Sequence, residues 1–213
     1  MRELLPPPQV FVVDDDPSLC RSLALVLELE NLAVRTFHSA EDFLSFALPD
    51  SPCCAIIDMY LPGMTGLQLQ ETLVNRGVAL PVIILTGHGE IPVSVQAIKS
   101  GAEDYLIKPV TRVKLLSAIQ AALAKYPQLR IYAERRQQAR ERLQQLTQRE
   151  REVMLMATQG ASDKEIARRL NISHRTVEKH KSNLIHKTGC TKLLDLIALA
   201  SDGGLCIGDS VVP

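Results

Sequence analysis

Short apolar runs alternate with segments of helical periodicity along the first 124 residues. The apolar runs predict five strands, at 9–13, 33–37, 53–57, 82–85 and 104–107. Between and after them, the spacing of apolar positions predicts helices near 17–30, 40–48, 65–76, 91–100 and 111–124. The runs VFVV and VIIL are continuous, which is typical of strands buried on both faces of a sheet. We therefore predict a doubly wound α/β fold with a five-stranded parallel sheet.

The pattern changes after residue 124, where strand periodicity gives way to helical spacing. A heptad-like spacing predicts a helical linker over 125–146, in which the repeating positions are Leu129, Tyr132, Arg136, Ala139, Leu143 and Leu146. Pro127 is expected to kink or end the helix that precedes it. The seam either joins two chains in a dimer or lies on a solvated helix that associates with nothing.

Strong helix punctuation follows the linker and predicts a small all-α domain over 147–213. TQRE at 147–150 and SDKE at 162–165 both have the capping-box pattern, in which a hydroxyl and a glutamate satisfy free backbone N–H groups. Helix-closing and helix-starting residues recur through the segment, namely Gly160, Asn171, Gly189, Ser173 and Thr191. The chain is thus divided into domains at 1–124 and 147–213, with the linker between them.

The net charge of zero conceals two halves of opposite charge. The whole chain has 24 Lys+Arg and 24 Asp+Glu. Residues 1–123 carry 8 basic and 14 acidic residues, whereas 124–213 carry 16 and 10. The neutral total therefore does not exclude a nucleic-acid partner, and it indicates two domains with different partners. The five cysteines lack zinc-ligand spacing, and no apolar run reaches membrane-spanning length, so we expect a reduced cytoplasmic protein that contacts no membrane.

Polar residues capable of phosphoryl chemistry follow four of the predicted strands. These residues are Asp14, Asp15, Asp16, Asp58, Thr86 and Lys108. The carboxyl ends of parallel strands share one edge of the sheet, so these side chains are expected to converge. Clustered carboxylates repel each other, and oxygen-only ligands favour Mg²⁺ as the neutralising cation. A carboxylate beside a hydroxyl and an ammonium group can accept a phosphoryl group, although each aspartate alone is equally typical of a helix N-cap.

The segments VFVVDDDPS, DMYLPGMTG, LTGHG and YLIKPV resemble, in order, the signatures of a two-component receiver domain with the CheY-like fold. The resemblance covers 9–124, and TGHGEIP is similar to the FixJ-like branch. It implies that Asp58 is the phosphoacceptor. It further implies that Asp15, Asp58 and the backbone carbonyl of Tyr60 bind Mg²⁺, and that Asp14 assists through a water molecule.

The same resemblance gives roles to three further residues. Thr86 and Lys108 are expected to contact the phosphoryl group, and Tyr105 occupies the position of the switch aromatic. A sensor histidine kinase is the implied phosphodonor.

The segment 162–189 reads as a helix, a short turn and a second helix. Polar side chains suited to phosphates and base edges occupy the outer face of the second helix: His174, Arg175, Thr176, Lys179, His180, Ser182, Asn183 and Lys187. Alone, such a stripe is more often a solvated helix face. Residues 147–200 are similar to the LuxR-type helix-turn-helix, which implies DNA binding in the major groove and dimerisation through the last helix.

The leading interpretation is a response regulator whose phosphorylation favours a homodimer, DNA binding and activated transcription with RNA polymerase. Two alternatives remain at this point. One is a metal-dependent phosphatase with an aspartyl-phosphate intermediate, which would use the same Asp, Thr and Lys residues. The other is a DNA-binding regulator whose first domain only dimerises and needs no phosphorylation.

Overall fold

The computed structural model describes residues 7–87 and 103–205. The chain divides into two compact units, Met1–Ala133 and Glu134–Pro213. The predicted helix near 91–100 lies outside the described residues. No helix in the described ranges is both long enough and apolar enough to cross a membrane.

The first unit contains a five-stranded parallel sheet. Its strands are β1 (Gln9–Val13), β2 (Ala33–Phe37), β3 (Cys53–Asp58), β4 (Val82–Thr86) and β5 (Asp104–Ile107). They lie in the order β2-β1-β3-β4-β5, with every neighbouring pair parallel. The order reverses direction beside β1, so the carboxyl ends of β1 and β3 border the crevice where such sheets bind ligands. The predicted fold class is confirmed, and the sequence placed all five strands to within one residue.

Helices cover both faces of this sheet. They are α1 (Pro17–Glu28), α2 (Ala40–Ser45), α3 (Gly66–Asn75) and α4, which begins at Arg112. One apolar cluster packs alternate strand residues against α2 and α3, and a second packs the other strand residues against α1 and the start of α4. All four phenylalanines of the chain lie in the first cluster. The continuous apolar strands are therefore buried on both sides, as their sequence indicated.

Local capping explains where the first helices begin. Asp16 caps α1 by accepting the Ser18 N–H at 2.8 Å, and Pro17 fits the first turn. Thr65 and Gln68 form a capping box at the start of α3. Because these caps follow β1 and β3 closely, each helix leaves the sheet beside the carboxyl end of its strand.

The helix α4 runs from Arg112 to Gln144 with Pro127 inside it, so of the two predicted effects of Pro127, a kink or an end, the end is wrong. The part of α4 up to Ala133 belongs to the first unit. There, Tyr126 is buried in the first apolar cluster, and Arg130 donates to the Asp50 carbonyl at 2.8 Å. Residues after the division belong to the second unit. The predicted linker 125–146 is thus shared between two cores.

The second unit is helical in its described part. It contains the end of α4 and then α5 (Gln148–Thr158), α6 (Asp163–Leu170), α7 (His174–Thr188) and α8 (Leu193–Asp202). The predicted capping boxes at Thr147 and Ser162 are present, and Ser173 caps α7. The N-cap of α8 is Lys192, not Thr191 as the sequence indicated. All three residues expected to close helices have left-handed backbones, with φ of +83° at Gly160, +54° at Asn171 and +71° at Gly189.

The heptad-like seam of α4 is exposed at its start and buried towards its end. Ala139, Leu143 and Leu146 are buried in a core shared with α5, α7 and α8. Leu129 and Tyr132, nearer the start of the seam, are 38% and 55% exposed. The later half of the seam therefore serves the core of the second unit within the same chain.

Candidate functional site

Four strand ends bring the predicted phosphoryl-site residues together. Asp14 directly follows β1, Asp58 and Thr86 end β3 and β4, and Lys108 directly follows β5. The Lys108 Nζ atom donates to Asp14 Oδ2 at 2.7 Å and to Asp58 Oδ1 at 2.5 Å. One ammonium group thus joins two carboxylates that are 44 residues apart in sequence.

Backbone groups fix the orientation of these side chains. Asp14 Oδ1 accepts the Asp16 N–H at 2.9 Å, and Asp58 Oδ2 accepts the Tyr60 N–H at 2.8 Å. The Lys108 N–H donates to the Thr86 carbonyl at 2.6 Å, which ties the lysine to the end of β4. The carboxylates are therefore positioned by the turns that leave their own strands.

Burial makes the charges of this cluster interdependent. Asp14 is 2% exposed and Asp58 is 7% exposed. Burial by itself lowers the pKa of Lys108, but hydrogen bonds and charges from Asp14 and Asp58 outweigh it, so the pKa is raised above its ordinary value. Lys108 is therefore a cation at neutral pH, available to balance negative charge on a phosphoryl group.

The remaining predicted site residues differ in exposure. Thr86 is buried, Tyr105 is half-buried against the first apolar cluster, and Asp15 is exposed. Tyr60 is 55% exposed at its side chain, while its backbone N–H is engaged by Asp58. Within the described ranges, no three His, Cys, Asp or Glu side chains come together as a metal-binding group. The structure thus brings Asp14 and Asp58 together, and the role of Asp15 as a metal ligand stays a prediction.

Two residues at the site were missed by the sequence reasoning. Gly66 begins α3 so close to β3 that an added Cβ would lie 2.3 Å from the Asp58 carbonyl oxygen. Burial raises the pKa of the Cys20 thiol to about 11, and this neutral group donates to the Asp14 carbonyl at 3.3 Å. The glycine at the first position of a helix was a signal for Gly66, whereas nothing local marked Cys20.

The second unit presents most of the predicted polar stripe on α7. His174, Arg175, Lys179, Ser182 and Asn183 are exposed. Thr176 and His180 are half-buried. In addition, the Thr176 hydroxyl lies 2.8 Å from that of Ser173 at the helix cap.

Lys187, the last predicted DNA contact, has a different position. Its Nζ atom donates to Glu150 Oε2 at 2.7 Å, and Glu150 is only 2% exposed. Lys187 is therefore directed towards the start of α5, and its contact with DNA stays a prediction. This ion pair joins two helices, which the pattern of the stripe on α7 could not reveal.

Comparison with known proteins identifies both units. Residues 10–120 match the family of response regulator receiver domains, and residues 144–200 match the bacterial regulatory proteins of the luxR family. The chain belongs to the response regulators. The receiver match includes Asp14, Asp58, Thr86 and Lys108, and the luxR match includes α5, α6 and α7 in full.

Full-length relatives agree with this assignment. This response regulator is 37% identical over 213 residues to the transcriptional regulatory protein FixJ of Azorhizobium caulinodans, covering all of both chains. It is 40% identical over 194 residues to the transcriptional regulatory protein TdiR of Thauera aromatica, covering 91% of this chain and 86% of the relative.

Solved structures show the same likeness. The response regulator StyR is 36% identical, with a TM-score of 0.56, and the match covers 92% of this chain and 98% of StyR. Full-length FixJ from B. japonicum is 31% identical, with a TM-score of 0.52, and the match covers 93% and 98%. The response regulator is thus FixJ-like and regulates transcription through a LuxR-type DNA-binding domain. This is a family of transcriptional regulators and not of enzymes, which removes the phosphatase alternative.

Proposed function

We propose that a sensor histidine kinase phosphorylates Asp58, and that phosphorylation favours a homodimer that binds a specific DNA sequence and activates transcription with RNA polymerase. The observation that carries this proposal is the Lys108 ammonium group joining Asp58 to Asp14 at the crevice of the sheet. We place the protein in the cytoplasm, because its work as a transcription regulator requires access to the DNA.

Mg²⁺ is the cofactor that we propose for this site. The available donors are hard oxygen atoms, namely the Asp58 and Asp15 carboxylates, the Tyr60 carbonyl and, through water, Asp14. Mg²⁺ uses one or two carboxylates and retains several waters, which fits direct binding by Asp58 and Asp15 and an indirect contact to Asp14 through a retained water. Lys108 already holds Asp14 and Asp58 beside each other. When bound, the ion would withdraw charge from phosphoryl oxygens.

The side chains already present support an in-line transfer. A carboxylate oxygen of Asp58 attacks the phosphorus of a phosphohistidine, the O–P bond forms, and the P–N bond breaks with its electron pair going to the imidazole. Lys108 balances charge on the phosphoryl oxygens, and the Thr86 hydroxyl donates to one of them. Tyr105 then follows Thr86 as the switch aromatic. The resulting acyl phosphate adds about one negative charge to the site.

The helices of the second unit support the proposed output. The exposed stripe on α7 would enter the major groove, and α8 would pair two chains through apolar side chains such as Leu194, which is 76% exposed. Such a dimer would bind two half-sites about 34 Å apart. Its phosphate contacts predict strong dependence of affinity on salt concentration.

The test is DNA binding by the full chain as wild type and as Asp58→Asn. The probe is a duplex enriched from a random-sequence pool by the wild-type protein. We expect a small acyl phosphate with Mg²⁺ to raise wild-type affinity by about 5- to 150-fold and to leave Asp58→Asn unchanged. Asp42→Asn, an exposed change on α2, is the control and should respond like wild type.

Equal binding by wild type and Asp58→Asn under all conditions would contradict the proposal. It would favour the regulator that needs no phosphorylation. Labelling of Asp58 without any change in DNA affinity would retain the phosphoacceptor but reject the control of DNA binding.

A further inference from the structure

The basic side chains of the DNA-recognition helix α7 fall into two groups by environment. Arg175 and Lys179 are exposed, and neither has an ion pair within residues 7–87 and 103–205. Lys181 and Lys187 are half-buried, and each pairs with a carboxylate from another helix. The basic residues of α7 thus form two sets, one exposed to solvent and one paired with carboxylates of other helices.

The Lys187 pair has the stronger geometry of the two. Its partner Glu150 is the third residue of α5 and completes the capping box by accepting the Thr147 N–H at 2.9 Å. The same oxygen, Oε2, accepts the Lys187 ammonium at 2.7 Å. One buried carboxylate therefore fixes both the start of α5 and the last turn of α7.

Lys181 makes a related contact nearer the middle of α7. Its Nζ atom pairs with the Asp163 carboxylate, at the first residue of α6. The two lysines therefore connect α7 to the N-terminal turns of α5 and α6. Negative charge at a helix N-terminus is itself favourable, so these carboxylates are stabilised where they stand.

We propose that Glu150 and Lys187 are positioning residues for DNA recognition: their ion pair sets the orientation of α7, while Arg175 and Lys179 contact the DNA itself. The inference rests on the DNA-binding role of the family. Lys187 is the one cation paired with Glu150 among the residues that the structure describes. A buried carboxylate that loses such a partner has a strong drive to reorganise, so the helix it anchors would turn or shift. Base contacts need closely defined geometry and would be lost first.

Salt dependence separates a positioning lysine from a phosphate contact. Each phosphate neutralised on duplex DNA contributes about 0.9 to the slope of log affinity against log salt. We expect Lys179→Gln to reduce this slope by about 1 on a scrambled duplex. Lys187→Gln should leave that slope unchanged, while it lowers affinity for the enriched duplex by about tenfold.

A double-mutant cycle tests whether Lys187 acts through Glu150. Glu150→Gln keeps an oxygen for the capping box but removes the charge, and simple electrostatics predicts that losing a negative charge strengthens DNA binding. We expect it instead to weaken binding to the enriched duplex about tenfold, and the double variant to be no weaker than either single one. The matched control is Glu152→Gln, two positions along α5, where the glutamate contacts Arg149 and Gln148 of its own helix.

Lysine acylation of the wild-type chain keeps the test decisive if a variant does not fold. Lys187 should react slowly with and without DNA, whereas Lys179 should react in the free protein and become protected on DNA. The proposal is overturned if Lys187 is reactive until DNA binds, if Lys187→Gln lowers the salt slope like Lys179→Gln, or if the two variants have additive effects. Loss of DNA binding by the wild type itself would instead count against the function.

Discussion

At the scale of single residues, the phosphoryl site depends on close contacts between charged and backbone groups. Asp14 and Asp58 are buried carboxylates that would repel each other without the shared ammonium group of Lys108. The position of Asp58 also depends on Gly66, because α3 starts against the end of β3. The Gly66 N–H donates to the Met59 carbonyl at 2.9 Å, so the helix cannot withdraw without breaking a backbone hydrogen bond.

Gly66→Ala should therefore destabilise the receiver unit. The added Cβ would lie 2.3 Å from the Asp58 carbonyl oxygen, and relief requires a shift of backbone. We expect a loss of about 1–3 kcal/mol in the free energy of unfolding, measured by urea denaturation, together with slower phosphorylation of Asp58. Gly87→Ala is the control, because an added Cβ there meets nothing within 4 Å. Similar stability losses in the two variants would refute the steric argument.

At the scale of secondary-structure elements, residues at the helix ends determine where most of these helices begin and end. Capping boxes start α3, α5 and α6, and left-handed residues close α6 and α7. In α5 the capping glutamate is also an ion-pair partner. Burial raises the pKa of Glu150, but hydrogen bonds from Lys187 and Thr147 outweigh it and lower the pKa to about 2.

This depressed pKa makes the second unit sensitive to acid. Glu150 stabilises the fold above its unfolded pKa near 4.5, and that contribution is lost as pH falls towards 2. We expect hydrogen-exchange protection of the α5 and α7 amides to fall between pH 4.5 and 2 by on the order of 2 kcal/mol more in wild type than in Glu150→Gln. Glu152→Gln, as the control, should follow wild type. Parallel curves for wild type and Glu150→Gln would contradict the assignment.

At the scale of the whole molecule, the division between units falls inside one long helix. Residues Met1–Ala133 and Glu134–Pro213 each form a compact unit, although α4 runs from Arg112 to Gln144. The end of α4 belongs to the core of the second unit, where Leu143 packs closely against Gly203: an added Cβ on that glycine would lie 2.1 Å from Leu143 Cδ1. The division between the acidic receiver and the basic DNA-binding unit thus falls after Ala133. This is about 13 residues before Leu146, where the predicted linker ends.

A fragment comparison tests this boundary. A fragment of 147–213 lacks Leu143 and Leu146, whose burial contributes about 3 to 6 kcal/mol. We therefore expect it to unfold at a much lower temperature than 134–213, as followed by circular dichroism. In the full chain, Leu143→Ala should destabilise the second unit, whereas Ile131→Ala, at a residue that is 52% exposed, should have little effect. Equal melting temperatures for the two fragments would restore the boundary at residue 147.

The sequence determined the local features of this protein. Apolar periodicity defined all five strands, and the caps at Thr147, Ser162 and Ser173 were read correctly. These signals are visible because periodicity and capping involve residues within a few positions of each other. The order of strand ends was enough to bring Asp14, Asp58, Thr86 and Lys108 to one edge, since parallel strands end on the same side.

Tertiary structure decided what depends on contacts between distant segments. The sequence placed Lys187 in the polar stripe of α7 and could not show its pairing with Glu150, 37 residues away. The later half of the α4 seam looked equally suited to a dimer until α5, α7 and α8 were found to cover it. A charged or apolar side chain reads the same in sequence whether its partner is DNA, another chain or its own core. Only the packing of the folded chain determines which of these partners shields the side chain from water.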